Sequence, residues 1–470
     1  MYKAAFLIFC LWFILGGCGG SSPPHFGGSS ASYIFAPGVP NFDMEATSAW
    51  ENDASGVGIR VSVPISSLVF VLNDNRYIAT YEIVGMLFDR KYDKLFTERA
   101  WAETTVAFNY KETQLSKSTI GKYFLTAVEG EYIVVVSIRD ENSGKKAVRE
   151  QWVSVSEAAK DRITITSMDL EMRQTDGSFR PVIPLQLPSN HDSLRLAGTL
   201  TRPNEERNAD VHLRVKKFPN DTVAAGPPNM FSPVVGSLAY IGVDYSRVDT
   251  EMHSVKQLTL DAKQTRFLFF PPQLARGIYR IHLTVDLPSS AELAHDTALH
   301  EQRDLAVLRP GFPHLTVLDN LIDPLVYLAK NEHWDSLRLA NTPQEKRRRF
   351  DSFWLSLAKN QQAAANLIKQ YYSRVEEANR FFTNHKEGWK TDRGMLYVIL
   401  GPPVSIARQF DREVWFYSYV DPDPLNTYVF KRVRAYDEHS TMEHYILERQ
   451  PYYDRNWQRS IERWRRGTVF

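Results

Sequence analysis

From Tyr33 to about Val155 apolar and polar residues alternate, the period that sends successive side chains to opposite faces of a strand. Gly58–Pro64 sets Ile59, Val61 and Val63 against Arg60 and Ser62. Arg76–Asp89 and Glu131–Asp140 are longer strand candidates, the second ending at the turn Asn142–Lys145. A second set comprises Arg162–Leu170, Ala209–Phe218 and Gly277–Leu287. Proline-rich connectors such as PVIPLQLP and GPPNMFSP cut this region and exclude long helices. Short strands at this spacing, separated by turn residues, predict two antiparallel β-sandwiches.

The period changes near Leu318. Thr342-Pro343-Gln344-Glu345 reads as a capping box with proline at the first helical position. Phe350, Phe353, Trp354 and Leu357 then line one face of a helix, with Lys346–Arg349 on its solvated side or forming a basic patch. A longer helix is predicted over Gln361–Phe382, its stripe being Ala364, Leu367, Ile368, Tyr371, Val375, Ala378 and Phe382. Strands return at Gly394–Leu400, Glu413–Tyr419 and Thr427–Val433, with His444–Gln450 as a candidate last strand. Tyr453, Trp457, Ile461 and Trp464 share one face of a closing helix. Arg455, Arg459, Arg463 and Arg466 take the other. The aromatic face is expected to pack on the small sheet, a membrane surface being the alternative. The expected fold is multidomain and mainly β: two antiparallel β-sandwiches, 33–157 and 158–312, then an α+β part over 313–470. That last part combines a helical hairpin with a small antiparallel sheet closed by a C-terminal helix.

Composition narrows the function classes. Lys and Arg total 56 against 55 Asp and Glu, which leaves no global field to draw nucleic acid. A hydrophobic share of 43% supplies real cores. The two cysteines are Cys10 and Cys18. Cys10 falls within the apolar run Ala4–Ile14, which follows Lys3 and is too short to span a bilayer as a helix. The run meets Leu15-Gly16-Gly17-Cys18. Together these resemble a secretory signal ending in the lipobox of bacterial lipoproteins. That resemblance implies removal of residues 1–17 and acylation of Cys18. No sulfur would then remain for a disulfide or a cysteine metal site. Residues 18–32, rich in Gly, Ser and Pro, read as a flexible tether reaching roughly 20 Å. Gly19, rather than Asp, after the cysteine points to the outer membrane, facing the periplasm.

The chain contains no Gly-x-Ser-x-Gly elbow, His-Glu-x-x-His, P-loop or Gly-x-Gly-x-x-Gly. Its twelve histidines fall without ligand spacing; His295 and His300, five apart, face different sides of a supposed helix. No metal and no cofactor are expected. One dense cluster stands out: His385, Glu387, Lys390, Asp392 and Arg393. As an enzyme it would use Glu387 or Asp392 as general base and Arg393 as anion clamp, with no second acid in register. As structure it needs less. Thr391 and Asp392 bond nearby amides at turns. Gly388 and Gly394 allow unusual backbone angles. Trp389 buries its ring between the long helix and the small sheet, and Arg393 pairs with Asp392 or a helix acid. No catalytic residue is assigned.

Gly388-Trp389-Lys390-Thr391-Asp392 resembles the defining pentapeptide of the GWxTD domain family. Arg393-Gly394 and Gly401-Pro402-Pro403 extend the likeness, which runs from about Phe350 to Trp464. Two stretches depart from it: LSLAKNQQAAAN after Ser352–Trp354, and Val404 where an acid often comes after the prolines. The resemblance implies a bacterial, exported or lipid-anchored protein and supplies no reaction. The expectation is a lipid-anchored envelope scaffold, held to the membrane through Cys18 and working by contact with envelope proteins. The alternative is a glycan-binding or glycan-processing protein using the motif domain.

Overall fold

The computed structural model describes residues 38–51, 54–89, 94–114, 117–155, 164–201, 207–260, 264–286, 299–408, 411–420, 422–433 and 442–469. Cys10, Cys18, the tether and His295 lie outside the described residues.

The architecture is mainly β with a helical C-terminal region around a small sheet. In the first sandwich, Asp43–Glu51, Ala54–Pro64 and Ser118–Thr126 form one sheet. Arg76–Asp89 pairs with Val71–Asn73, Leu95–Ala107 and Gly130–Asp140 in the other, which Lys146–Val155 extends. Alternation does what it predicts: Ile59, Val61, Ile83, Leu87, Val134 and Val136 meet between the sheets and are buried.

The second sandwich stacks Phe179–Pro181, Thr164–Arg173, Leu194–Thr201 and Gln264–Phe269 against a five-stranded sheet. The latter runs Gln186–Pro188, Leu299–Leu308, Gly277–Asp286, Arg207–Phe218, Thr250–Leu260. Its one parallel pairing joins Gln186–Pro188 to Leu299–Leu308. His300 therefore sits on a strand, not the supposed helix. Residues 219–249, between Arg207–Phe218 and Thr250–Leu260, form a long excursion that leaves the sheet.

In the last domain, Thr342 accepts from the Glu345 N–H (3.1 Å) and Pro343–Ser356 is helical. Three cations of the basic run have acids: Lys346 with Asp319, Arg347 with Asp351, and Arg349 with Glu345. The long helix spans Gln361–Phe382, and all of its predicted stripe is buried except half-buried Ile368. The small sheet orders Ser405–Arg408, Arg412–Phe416, Thr427–Val433 and His444–Leu447 sequentially and antiparallel. The closing helix Asp454–Arg465 buries Trp457, Ile461 and Trp464, with Tyr453 just before it, and leaves Arg455, Arg459, Arg463 and Arg466 exposed.

One predicted strand is wrong. Gly394–Leu400 belongs to a helix, Asp392–Leu400, not a strand. Its run of consecutive apolar residues carries no period, and this helix is surrounded by protein, so apolar residues cover it all round. The signals that decide it lie at its ends. Thr391 caps the N-terminus through the Gly394 N–H (3.0 Å), and Gly401, at φ +87°, stops it.

Candidate functional site

The motif loop folds back onto the last turn of the long helix. Thr383 donates to the Asn379 carbonyl (2.6 Å) and accepts from the Gly388 N–H (2.8 Å). Thr391 donates to the Gly388 carbonyl (2.7 Å). The two motif glycines are required by closeness rather than by unusual backbone angles. A Cβ on Gly388 would lie 1.8 Å from the Ala378 carbonyl oxygen, and one on Gly394 1.9 Å from that of Gly388. Trp389 is 3% exposed. It meets Tyr327 edge-on at 5.9 Å, and its carbonyl accepts from the Tyr327 hydroxyl (3.0 Å). The junction it fills is helix against helix, because the chain leaves the motif loop as the helix Asp392–Leu400.

The charged residues that lead into the motif, Lys386 and Glu387, reach out of their own domain. Glu387 accepts from the Trp389 indole N–H (2.8 Å), from Arg276 (3.0 Å) and from Arg309 (3.4 Å). Arg276 and Arg309 flank strands of the second sandwich. Lys386 Nζ donates to Asp221 (2.5 Å) and to the Val223 carbonyl (2.9 Å). Asn220 donates to the His385 carbonyl (2.7 Å). Ala225 N–H donates to the Lys390 carbonyl (2.9 Å). Asp392 accepts from the Leu447 N–H (2.8 Å) and from Arg449 (2.5 and 3.2 Å). Arg449 also donates to the carbonyls of Gly226 (3.1 Å) and Pro227 (3.3 Å). The 219–249 excursion is thus clasped by the motif. Its other side is held to its own sandwich, where Tyr245 donates to Asp304 (2.7 Å), the partner of Arg280.

Two histidines complete the joint. His385 and His444 meet edge-on at 4.6 Å, and His444 Nε2–H donates to the Tyr240 carbonyl (3.0 Å). Gly242, at φ +81°, admits the His385 ring where a Cβ would stand 2.6 Å from it. Burial disfavours the charged imidazole, holding His444 at about 4 and His385 well below the usual range, with the Lys386 charge adding to both. Burial also lowers Lys390, against the pull of Glu387, and raises Asp323, against that of Lys390.

Arg393 does not pair as predicted. Its partner is Glu413 (3.5 Å) on the small sheet, and its guanidinium lies 4.4 Å from the Tyr445 ring centre. Glu413 also accepts from the Trp415 indole (2.5 Å), repeating the Glu387–Trp389 arrangement. Beyond Gly401, whose carbonyl accepts from Tyr417 (2.8 Å), Pro402 is exposed and Pro403 buried. Val404 then opens the sheet by pairing with Phe416. Arg276, Arg309, Asp221, Arg449 and Glu413 were missed from sequence because single charges on unrelated elements carry no spacing signal. Among the described residues no group of three or more His, Cys, Asp or Glu is placed to hold a metal. A shallow depression of about 580 Å³ lies along Pro343–Ser356, lined by Arg347, Arg348, Asp351 and Leu355 among others, away from the motif.

Fold and site together define a class: a tandem-sandwich protein whose last α+β domain is keyed to the preceding sandwich by its own sequence motif. Residues 291–466 match the model of the GWxTD domain. The match begins before Leu299–Leu308, so it includes the strand leading to Arg309. Two solved structures are similar to the chain. The FN1-FN3 domains of chicken CNTN1 are 9% identical, with 57% of this chain and 68% of that chain covered and a TM-score of 0.16. The fibronectin(III)-like modules of Clostridium thermocellum CbhA are 10% identical, with 59% and 99% covered and a TM-score of 0.15. No curated protein matches the chain.

Proposed function

We propose that this chain is a lipid-anchored cell-envelope scaffold that works by binding another protein through the loop its motif clasps. One observation carries the reading. From Thr222 to Val243 there is no charged residue and no histidine, yet Met230, Phe231, Val234 and Val235 stand exposed, Phe231 at 98%. The base of this loop is tied to the last domain by Ala225, Gly226 and Pro227, and Asn229 donates to Asp454 (2.8 Å). A held apolar tip suits a pocket on a protein partner; a lipid headgroup surface favours cations beside the apolar side chains, and Thr222–Val243 holds none. The acids of the motif are saturated by internal donors and Trp389 is closed off, which counts against a glycan site there.

A photo-crosslinking side chain at Phe231, in intact cells, tests the contact. A discrete protein adduct is expected at 231, absent when the probe sits at exposed Leu72 of the first sandwich. Equal labelling at both positions overturns the reading. The anchor is tested separately. Cys18→Ala is expected to abolish metabolic labelling with palmitate, and persistent labelling removes the lipid from the account.

A further inference from the structure

The five-stranded sheet of the second sandwich turns one face outward. Along Arg207–Phe218, Ala209, Val211, Leu213 and Val215 are buried, while Asp210, His212, Arg214 and Lys216 point away from the core. The register sets His212 opposite Val255 and Arg214 opposite His253, making His253 the diagonal neighbour of His212. On the other side His212 faces Thr284, two residues from Asp286. The side chains use this placement. His212 Nδ1 lies 3.1 Å from His253 Nε2, and His212 Nε2 lies 3.1 Å from Asp286 Oδ2.

Such an arrangement has a defined chemistry. An ionised carboxylate only accepts, so Asp286 keeps the proton on His212 Nε2 and leaves a lone pair on Nδ1, aimed at His253. A histidine backed by a carboxylate, with its other nitrogen free, is how metal-ligating imidazoles are oriented. Two nitrogens bound to one ion at about 2.0–2.1 Å stand roughly 3 Å apart when the angle at the metal is near 100°. We propose that His212 and His253 are the two protein ligands of a divalent transition-metal site, with Asp286 as the positioning residue. Water or a donor from another molecule fills the remaining positions.

Without metal, neutral His253 donates its Nε2 proton to His212 Nδ1. On binding, that proton transfers through solvent to His253 Nδ1, and the exposed ring turns to aim its freed lone pair at the ion. No net proton is gained or lost. Imidazole donors select Cu²⁺, Zn²⁺ or Ni²⁺ over Mg²⁺ and Ca²⁺, and Cu²⁺ binds tightest. The cations on the same face are drawn elsewhere: Arg214 and Lys216 lie 3.8 and 4.0 Å from Glu251.

Calorimetric titration of the full chain with CuCl₂ and ZnCl₂, paired with electron paramagnetic resonance of the Cu²⁺ form, tests the site. One equivalent is expected, Cu²⁺ tighter than Zn²⁺, with a signal from two imidazole nitrogens. His212→Ala and His253→Ala should each remove that equivalent. Asp286→Asn should retain it with affinity lower by about 10–100-fold. Metal-free melting curves of the three variants, all altered on the outward face, verify folding. Any copper held by His25 is common to every variant and cancels in the difference. Binding that is unchanged in the His212→Ala, His253→Ala double variant, or absent from the unaltered chain, overturns the site. Unchanged affinity in Asp286→Asn overturns the positioning role.

Discussion

Glu45 and Glu387 each join two domains by sharing a carboxylate between two arginines, yet they sit in different settings. Glu45, on a strand of the first sandwich, holds Arg60 of its own domain (3.0 Å) and Arg303 of the second (3.3 Å), while Arg60 also meets Asp169 across the boundary. That network runs from side chain to side chain, and its members are 11–16% exposed. Glu387 is 4% exposed, takes an indole N–H as well, and lies in a loop whose backbone is itself bonded to the second sandwich. A side-chain clasp needs only strand register. The motif joint also needs two places without a Cβ and an indole at a fixed offset from its acid.

The largest effect is expected at the glycines. Gly394→Ala forces a Cβ to within 1.9 Å of a backbone oxygen that is itself fixed between the long helix and the motif helix. Neither backbone can give way, so the cost should exceed about 4–5 kcal/mol, the exceptional range for one substitution. Loss of the last domain's calorimetric transition and of tryptophan near-ultraviolet dichroism is the expected result. A protein that melts normally would mean the motif is not what closes this joint.

Next come the two glutamates themselves. Glu387→Gln leaves Arg309 buried without its carboxylate, which should cost about 3–5 kcal/mol. Glu45→Gln should cost less, roughly 1.5–3 kcal/mol, because Arg60 keeps Asp169 and water reaches the network. Denaturant unfolding of both variants measures the gap. Equal losses would erase the distinction between the joints.

The same contrast explains what could be read in the chain. Strands at Arg76–Asp89 and Thr427–Val433, the helix Gln361–Phe382 and the aromatic stripe of the closing helix are written in period, and period comes from burial on one face. The motif was legible as a place, through its glycines, Thr391 and Trp389. Its purpose was not. The excursion meets the motif loop and its neighbours Arg449 and His444 in good part through backbone groups of Val223, Ala225, Gly226, Pro227 and Tyr240, and a backbone group has no residue identity to recognise. The helix Asp392–Leu400 was misread for a related reason: buried on every side, it has no polar face to give its period away.

Acid should separate the joints further. Free histidine titrates near 6.5, whereas burial holds His444 at about 4. Between those values the unfolded chain takes up a proton that the folded chain refuses, so stability is full above pH 6.5 and falls as pH drops toward 4. His444 alone should account for about 3 kcal/mol, and His385 adds in the same direction. Among the described residues, the charged groups paired in the Glu45 network are Arg60, Asp169 and Arg303, and none is a histidine. Unfolding free energies at about pH 7 and about pH 4.5 should therefore show a slope that His444→Gln flattens. An unaltered slope would place the acid sensitivity outside this joint.

The smallest effect lies where the first sandwich touches the last domain. Glu150 and Arg432 meet at 3.3 Å with side chains 28% and 17% exposed. Water can solvate both ions, so the pair gains little over its separated, hydrated state and loses side-chain freedom in forming. Glu150→Gln should cost less than about 1 kcal/mol. Added salt should shrink the difference further, since a Debye length of about 8 Å at physiological ionic strength screens exposed charges. Melting curves of the two proteins at low and high salt would measure this. A loss approaching that of Glu387→Gln, insensitive to salt, would mean the first sandwich is fastened to the last domain as firmly as the second is, and the motif would then no longer mark the one joint built to be rigid.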